Sequence, residues 1–112
     1  MTKVSGLQVI IDVETTTRFG WSPRDLAAAC LDGGARLLQI RAKEISSASL
    51  LRICDEIVRA SDTYGAKVIV NYRVDLALMC GAAGVHLGQE DLRPTVARKQ
   101  LGKDALIGLS TH

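Results

Sequence analysis

No paired cysteine motif, no glycine-rich nucleotide fingerprint and no long apolar run marks this sequence. Cysteine occurs only at Cys30, Cys54 and Cys80, an odd number without Cys-x-x-Cys spacing, each in a helical pattern. They read as three buried, reduced thiols of a cytosolic protein, with a redox or zinc site as the lesser alternative. Aromatic residues are 4% of the chain, and only Phe19 and Trp21 lie close together, so no stacking platform for nucleic-acid bases is built. Fourteen basic and twelve acidic residues leave a net charge of +2, and the basic residues are scattered. That is too little to hold nucleic acid or an anionic membrane surface. No apolar run reaches membrane-spanning length, and the N-terminus lacks the basic-then-apolar pattern of a secretory signal. Neither G-x-G-x-x-G nor G-x-x-x-x-G-K-[ST] occurs, which removes a standard dinucleotide site and a P-loop. The expectation is a cytoplasmic protein with no nucleic-acid and no membrane partner.

What is present is a regular alternation within 112 residues that are 47% hydrophobic, enough for one globular domain. Leu7-Gln8-Val9-Ile10-Ile11-Asp12 reads as a strand, followed by a threonine-rich loop from Val13 to Trp21. Ser22-Pro23-Arg24-Asp25 is a helix start, with serine at the N-cap, proline at the first helical position and an acid three residues on. Gly33-Gly34 ends that helix. A second strand is expected from Ala35 to Ile40, a second helix from Ser46 to just before Gly65 and a third strand from Lys67 to Val70. A short helix follows from Val74 to Cys80, then a strand from Gly84 to Leu87, a helix from Pro94 to Leu101 and a last strand from Ala105 to Leu109. Five short apolar strands and four helices in strict alternation imply parallel strands with right-handed crossovers. A doubly wound sheet and a (β/α)8 TIM barrel both fit, and in either the chain reads as incomplete at its C-terminus. For a barrel, the inner face is expected to be filled by Val, Ile and Leu.

In both architectures chemistry sits at the C-terminal ends of the strands. Polar residues collect there: Gln39-Ile40-Arg41-Ala42-Lys43, Asn71-Tyr72-Arg73, Gly88-Gln89-Glu90-Asp91 and Ser110-Thr111-His112. Arg41 and Lys43 alternate along an extended segment, so both side chains can point the same way. Two cations aimed into one mouth repel unless an anion lies between them, and a phosphate or pyrophosphate suits an arginine fork beside a lysine point charge. A solvated charged loop is the plainer reading. Asp91 either holds a hard cation such as magnesium opposite that anion or caps the next helix. Gln39 and Asn71 can give neutral hydrogen bonds to a heterocycle or phosphate. His86, flanked by Val85 and Leu87, reads first as a packed core histidine, Arg36 as structural, and Asp75 as solvated or capping.

Four stretches resemble the thiamine-phosphate synthase family, in order and at its spacing: Gln39-Ile-Arg-Ala-Lys43, Asn71-Tyr-Arg-Val-Asp-Leu-Ala-Leu78, Gly84-Val-His-Leu-Gly-Gln-Glu-Asp-Leu92 and Gly108-Leu-Ser-Thr-His112. The resemblance spans essentially the whole chain but only the first half or so of a family member. It implies that residues 1–112 are the N-terminal portion of a single TIM-barrel domain. It also implies a transferase of thiamine biosynthesis, which couples hydroxymethylpyrimidine pyrophosphate to thiazole phosphate and releases pyrophosphate. In that chemistry pyrophosphate leaves first and the thiazole nitrogen captures the pyrimidine-methyl cation. Carried over by motif, Gln39, Arg41, Lys43 and Asn71 contact the pyrimidine pyrophosphate, with Arg41 and Lys43 as the catalytic pair. Asp91 binds Mg2+, and Ser110 lines the site. The family usually has an aspartate after the asparagine as a second magnesium ligand, where this chain has Tyr72.

Two alternatives stand beside the synthase. A thiazole tautomerase, a related barrel isomerase, needs no magnesium, and His112 lies where a general acid or base acts. A non-catalytic fragment associating through its open sheet edge, as a homo-oligomer for example, is the third.

Overall fold

The computed structural model describes residues 7–88 and 93–109. The elements alternate as the sequence pattern requires except for a second helix after the first strand: β1 (Leu7–Asp12), α1 (Val13–Arg18), α2 (Pro23–Asp32), β2 (Ala35–Arg41), α3 (Ser47–Thr63), β3 (Lys67–Asn71), α4 (Val74–Cys80), β4 (Gly84–Leu87), α5 (Pro94–Leu101) and β5 (Leu106–Leu109). The strands form one sheet in the order β1-β2-β3-β4-β5, every neighbouring pair parallel.

Capping sets the helix starts. Ser22 Oγ accepts from the Asp25 N–H at 3.0 Å with Pro23 at the first helical position, and Ser46 Oγ accepts from the Ser49 N–H at 3.2 Å. Such a side chain satisfies an amide that the helix itself leaves unpaired. The fifth helix, α1, corrects the expected Val13–Trp21 loop. Three consecutive threonines disfavour a helix in sequence because they are β-branched. Here Asp12 Oδ1 caps the Thr15 N–H at 3.0 Å, and the Thr16 and Thr17 hydroxyls donate back to the Asp12 and Val13 carbonyls at 2.7 and 2.9 Å. The hydroxyls that weaken helix propensity are absorbed by the helix's own carbonyls.

The core lies between the sheet and the helices. Ile11, Leu38, Ile40, Val68, Val70, Val85 and Leu87 are all buried and pack with Ala27, Leu31, Leu50, Cys54 and Ile57 of α2 and α3. The alternate residues occupy the opposite, inner face, because side chains switch sides at each step. Register across that face aligns Ile10 with Gln39, Gln39 with Ile69, Ile69 with Gly84 and Gly84 with Leu106. The next level holds Asp12 beside Arg41, and Asn71 beside His86, which pairs with Gly108. So Val, Ile and Leu fill chiefly the helix-facing side, and the inner face turns polar toward the strands' C-terminal ends. Two glycines on it are sterically required. A Cβ at Gly84 would stand 1.7 Å from the Leu106 carbonyl oxygen, and one at Gly108 would stand 2.6 Å from His86 Nδ1.

Candidate functional site

Of the six expected substrate and metal residues, Gln39, Arg41, Lys43 and Asn71 are described, and they lie on or just past the ends of the neighbouring strands β2 and β3. Gln39 and Arg41 leave the inner face of β2 two residues apart, and Asn71 ends β3. Asn71 is 6% exposed, and its Nδ2 donates to Gln39 Oε1 at 2.5 Å. This fixes two amides side by side at the sheet's C-terminal end. Asn71 Oδ1 and Arg41 Nε are both shielded from water without a hydrogen-bond partner among the described residues. Buried polar atoms are nearly always paired, so two orphans at one strand end mark a place suited to a polar ligand.

Lys43 lies past the end of β2, in a bend, with an exposed side chain. Its backbone is held: the Lys43 N–H donates to Glu14 Oε1 at 2.8 Å. Glu14 therefore belongs to the site, tying α1 to the loop after β2, and its Oε2 is buried without a described partner. Asp12 joins it. The Thr15 amide hydrogen bond holds the Asp12 carboxyl below the usual carboxylate range, assisted by the charges of Arg41 and Lys43 and opposed by burial. The Asp12 carboxylate thus feels both cations, so a protein group already relieves part of the repulsion expected between Arg41 and Lys43. The 29-residue separation of Glu14 and Lys43 explains why no local pattern announced the contact.

Tyr72 follows Asn71 in the left-handed region, φ 65°, and its N–H donates to the His86 carbonyl at 2.8 Å. A tyrosine there is strained, whereas asparagine and aspartate tolerate it. Arg73, next in line, forms a 2.9 Å ion pair with Asp75 and also donates to Ser47 Oγ at 3.0 Å. That bond to Arg73 lowers the Asp75 carboxyl further than its partial burial raises it. Asp75 is therefore a partner of Arg73. His86 is half-buried on the inner face, on the opposite side from its buried neighbours Val85 and Leu87, and so is not a core residue. Arg36 is structural as expected, donating to the Leu31 and Ala35 carbonyls and lying 5.6 Å from the centre of the Tyr64 ring. Asp91, Ser110 and His112 lie outside the described residues.

Comparison with known proteins agrees with this fold. A family model described as thiamine monophosphate synthase matches residues 9–112. A thiamine-phosphate synthase of Chlorobium phaeobacteroides is 50% identical over 90 residues, which is 80% of this chain and 44% of the relative. One from Lawsonia intracellularis is 44% identical over 94 residues, covering 84% of this chain and 43% of its own. A solved thiamine phosphate pyrophosphorylase from Pyrococcus furiosus superposes with a TM-score of 0.80 at 28% identity, over 93% of this chain and 49% of that one. The chain thus spans about half the length of the relatives it matches.

Proposed function

The chain belongs to the thiamine monophosphate synthase family, and from that premise we propose that the whole protein couples hydroxymethylpyrimidine pyrophosphate to thiazole phosphate, with residues 1–112 forming the first portion of its single barrel domain. The observation that carries the reading is the Gln39–Asn71 amide pair beside Arg41, with Arg41 Nε and Asn71 Oδ1 buried and unpaired among the described residues. Gln39 and Asn71 are proposed to orient the pyrimidine and its phosphates through neutral hydrogen bonds. Arg41 and Lys43 are proposed to stabilise the negative charge that builds on pyrophosphate as its carbon–oxygen bond breaks. Preorganised donors act most strongly where charge develops. No protein nucleophile is required, since the departing pyrophosphate leaves a cation that the thiazole nitrogen captures. Ser110 is proposed to line the same mouth. The relatives' names favour the synthase over the isomerase.

Magnesium is proposed as the ion that neutralises the pyrophosphate, with Asp91 as its carboxylate ligand. The described residues do not by themselves fit such an ion. No group of three His, Cys, Asp or Glu side chains gathers among them, and Tyr72 offers a phenol where a hard cation prefers a carboxylate. Arg41 and Lys43 are the described residues proposed to share in stabilising that charge.

The test is an assay of the full-length protein with both substrates, following pyrophosphate and thiamine phosphate together. Equal amounts of the two products are expected. Arg41→Ala should lower the coupling rate by about 10²-fold or more, the range seen when a transition-state donor is removed. Unaltered coupling in that variant, or no thiamine phosphate from the parent protein, would overturn the reading.

A further inference from the structure

The loop after β2, residues 42–46, carries Lys43 and has no regular backbone of its own. Ala42 and Ile45 pack against the core, whereas Lys43, Glu44 and Ser46 are exposed. Glu14 ties this loop from the β1 side, through the Lys43 amide. A second tie comes from the β3 side. Arg73 stands at the N-cap position of α4, two residues after Asn71, and its Nη2 donates to Ser47 Oγ at 3.0 Å. Ser47 is the first residue of α3, where the loop ends. We propose that Arg73 is a positioning residue, strapping the Lys43 loop to the strand end that carries Asn71 and so holding it ready for the pyrophosphate end of the substrate.

The guanidinium is oriented by a second partner. Nε and Nη2 donate to Asp75 Oδ1 and Oδ2 at 3.1 and 2.9 Å, a two-pronged contact that sets the plane of the fork. Asp75 lies in the first turn of α4, so the fork is anchored on a helix. Stability alone does not account for the arrangement. The two side chains are 35% and 60% exposed, and ion pairs so open to water contribute little to folding. What distinguishes this pair is its place, between the loop after β2 and the loop after β3. A lysine offers point contacts only, whereas the planar fork grips both carboxylate oxygens and still presents an N–H to Ser47.

The strap acts before the substrate arrives. With the loop fixed from both sides, the Lys43 backbone is already in place when an anion enters. Without the strap, binding itself has to order the loop, which weakens affinity more than it slows the bound substrate. Arg73 touches neither substrate nor the breaking bond in this scheme; its effect passes through Ser47 to the loop. The inference rests on the coupling reading above for its substrate, so its test includes measurements that need no turnover.

The experiment compares the full-length protein with Ser47→Ala, Ser47→Thr and Arg73→Lys. Ser47→Ala deletes the cross-loop bond, leaves the Arg73–Asp75 pair intact and puts a good helix former at a helical position, so folding is not at risk. Hydrogen exchange is read in the peptide covering residues 42–47, and binding of inorganic pyrophosphate with magnesium is read by calorimetry. Ser47→Ala should exchange faster there and bind pyrophosphate about threefold to tenfold more weakly, the worth of one hydrogen bond. KM for the pyrimidine substrate should rise by a similar factor while kcat changes by less than about twofold. Ser47→Thr, which keeps a hydroxyl, should restore the parent values, and Arg73→Lys should resemble Ser47→Ala. Unchanged exchange and pyrophosphate affinity in Ser47→Ala would overturn the strap, as would a fall in kcat with KM unaltered. A parent protein that forms no thiamine phosphate, but whose Ser47→Ala variant shows the looser loop and the weaker pyrophosphate binding, would overturn the coupling reading and uphold the strap.

Discussion

Tyr72 carries two separable liabilities. Its backbone stands at φ 65°, where a bulky L-residue is disfavoured by roughly 1–2 kcal/mol. Its side chain supplies no carboxylate where the family usually has one. Tyr72→Asp should therefore raise unfolding stability by about 1 kcal/mol in denaturant titration, since aspartate visits this region more easily. Tyr72→Phe should leave stability unchanged. If Asp91 is the magnesium ligand, Tyr72→Asp should also lower the magnesium concentration needed for half-maximal coupling. A variant with altered stability but an unaltered magnesium requirement would separate the two effects. Glu14 makes a different demand. Its Oε1 holds the Lys43 amide, so Glu14→Ala should free the loop after β2 while leaving every proposed substrate contact in place. A rise in KM for the pyrimidine substrate that exceeds the fall in kcat is expected from steady-state kinetics, because the lysine is then ordered by the ligand instead of beforehand. Glu14→Gln keeps an acceptor and should restore most of the affinity.

At the scale of elements, α1 depends on one cap. Asp12 accepts from Thr15, and its carboxyl is held below the usual range chiefly by that bond. A group with a lowered folded value contributes stability above the ordinary carboxylate range, and loses it as pH falls through that range toward the folded value. Asp12→Asn, which still caps, should flatten part of the acid side of the stability–pH profile with little change at neutral pH. Asp12→Ala should cost about 1 kcal/mol at neutral pH. The same helix shows where reading the sequence stopped. The helix starts at Ser22 and Ser46, the prolines and the short apolar strand runs were legible because each is a local signal. The Thr15-Thr16-Thr17 run hid α1 because its hydroxyl bonds exist only once the helix has formed. The strand-end cluster at Gln39, Arg41 and Asn71 could be read because parallel topology dictates where strand ends meet. The pairing of Glu14 with Lys43 could not, and neither could the side taken by His86, whose apolar neighbours suggested a core position. Alternation along β4 sends them the other way.

For the molecule as a whole, β1 and β5 are each paired on one side only, and the β1 end carries Ile10, Phe19 and Trp21 at 58%, 74% and 51% exposure. Such a patch beside an unpaired edge invites association. Residues 1–112 expressed alone should therefore self-associate with rising concentration, as seen by sedimentation, and show a broad thermal transition. A sharp, concentration-independent monomeric transition would contradict this. Trp21 is the chain's only tryptophan, so its emission reports on the patch directly. It should be blue-shifted in the full-length protein relative to the 112-residue chain if the rest of a barrel covers that edge. The strand order has a consequence in time as well as in space. Each strand pairs with the one made just before it, so a newly synthesised segment always finds its partner already in place. The sheet can grow one strand and helix at a time as the chain leaves the ribosome, without waiting for a distant segment. The hazard of that route is its moving front, because at every stage the newest strand exposes an unpaired edge until the next one arrives.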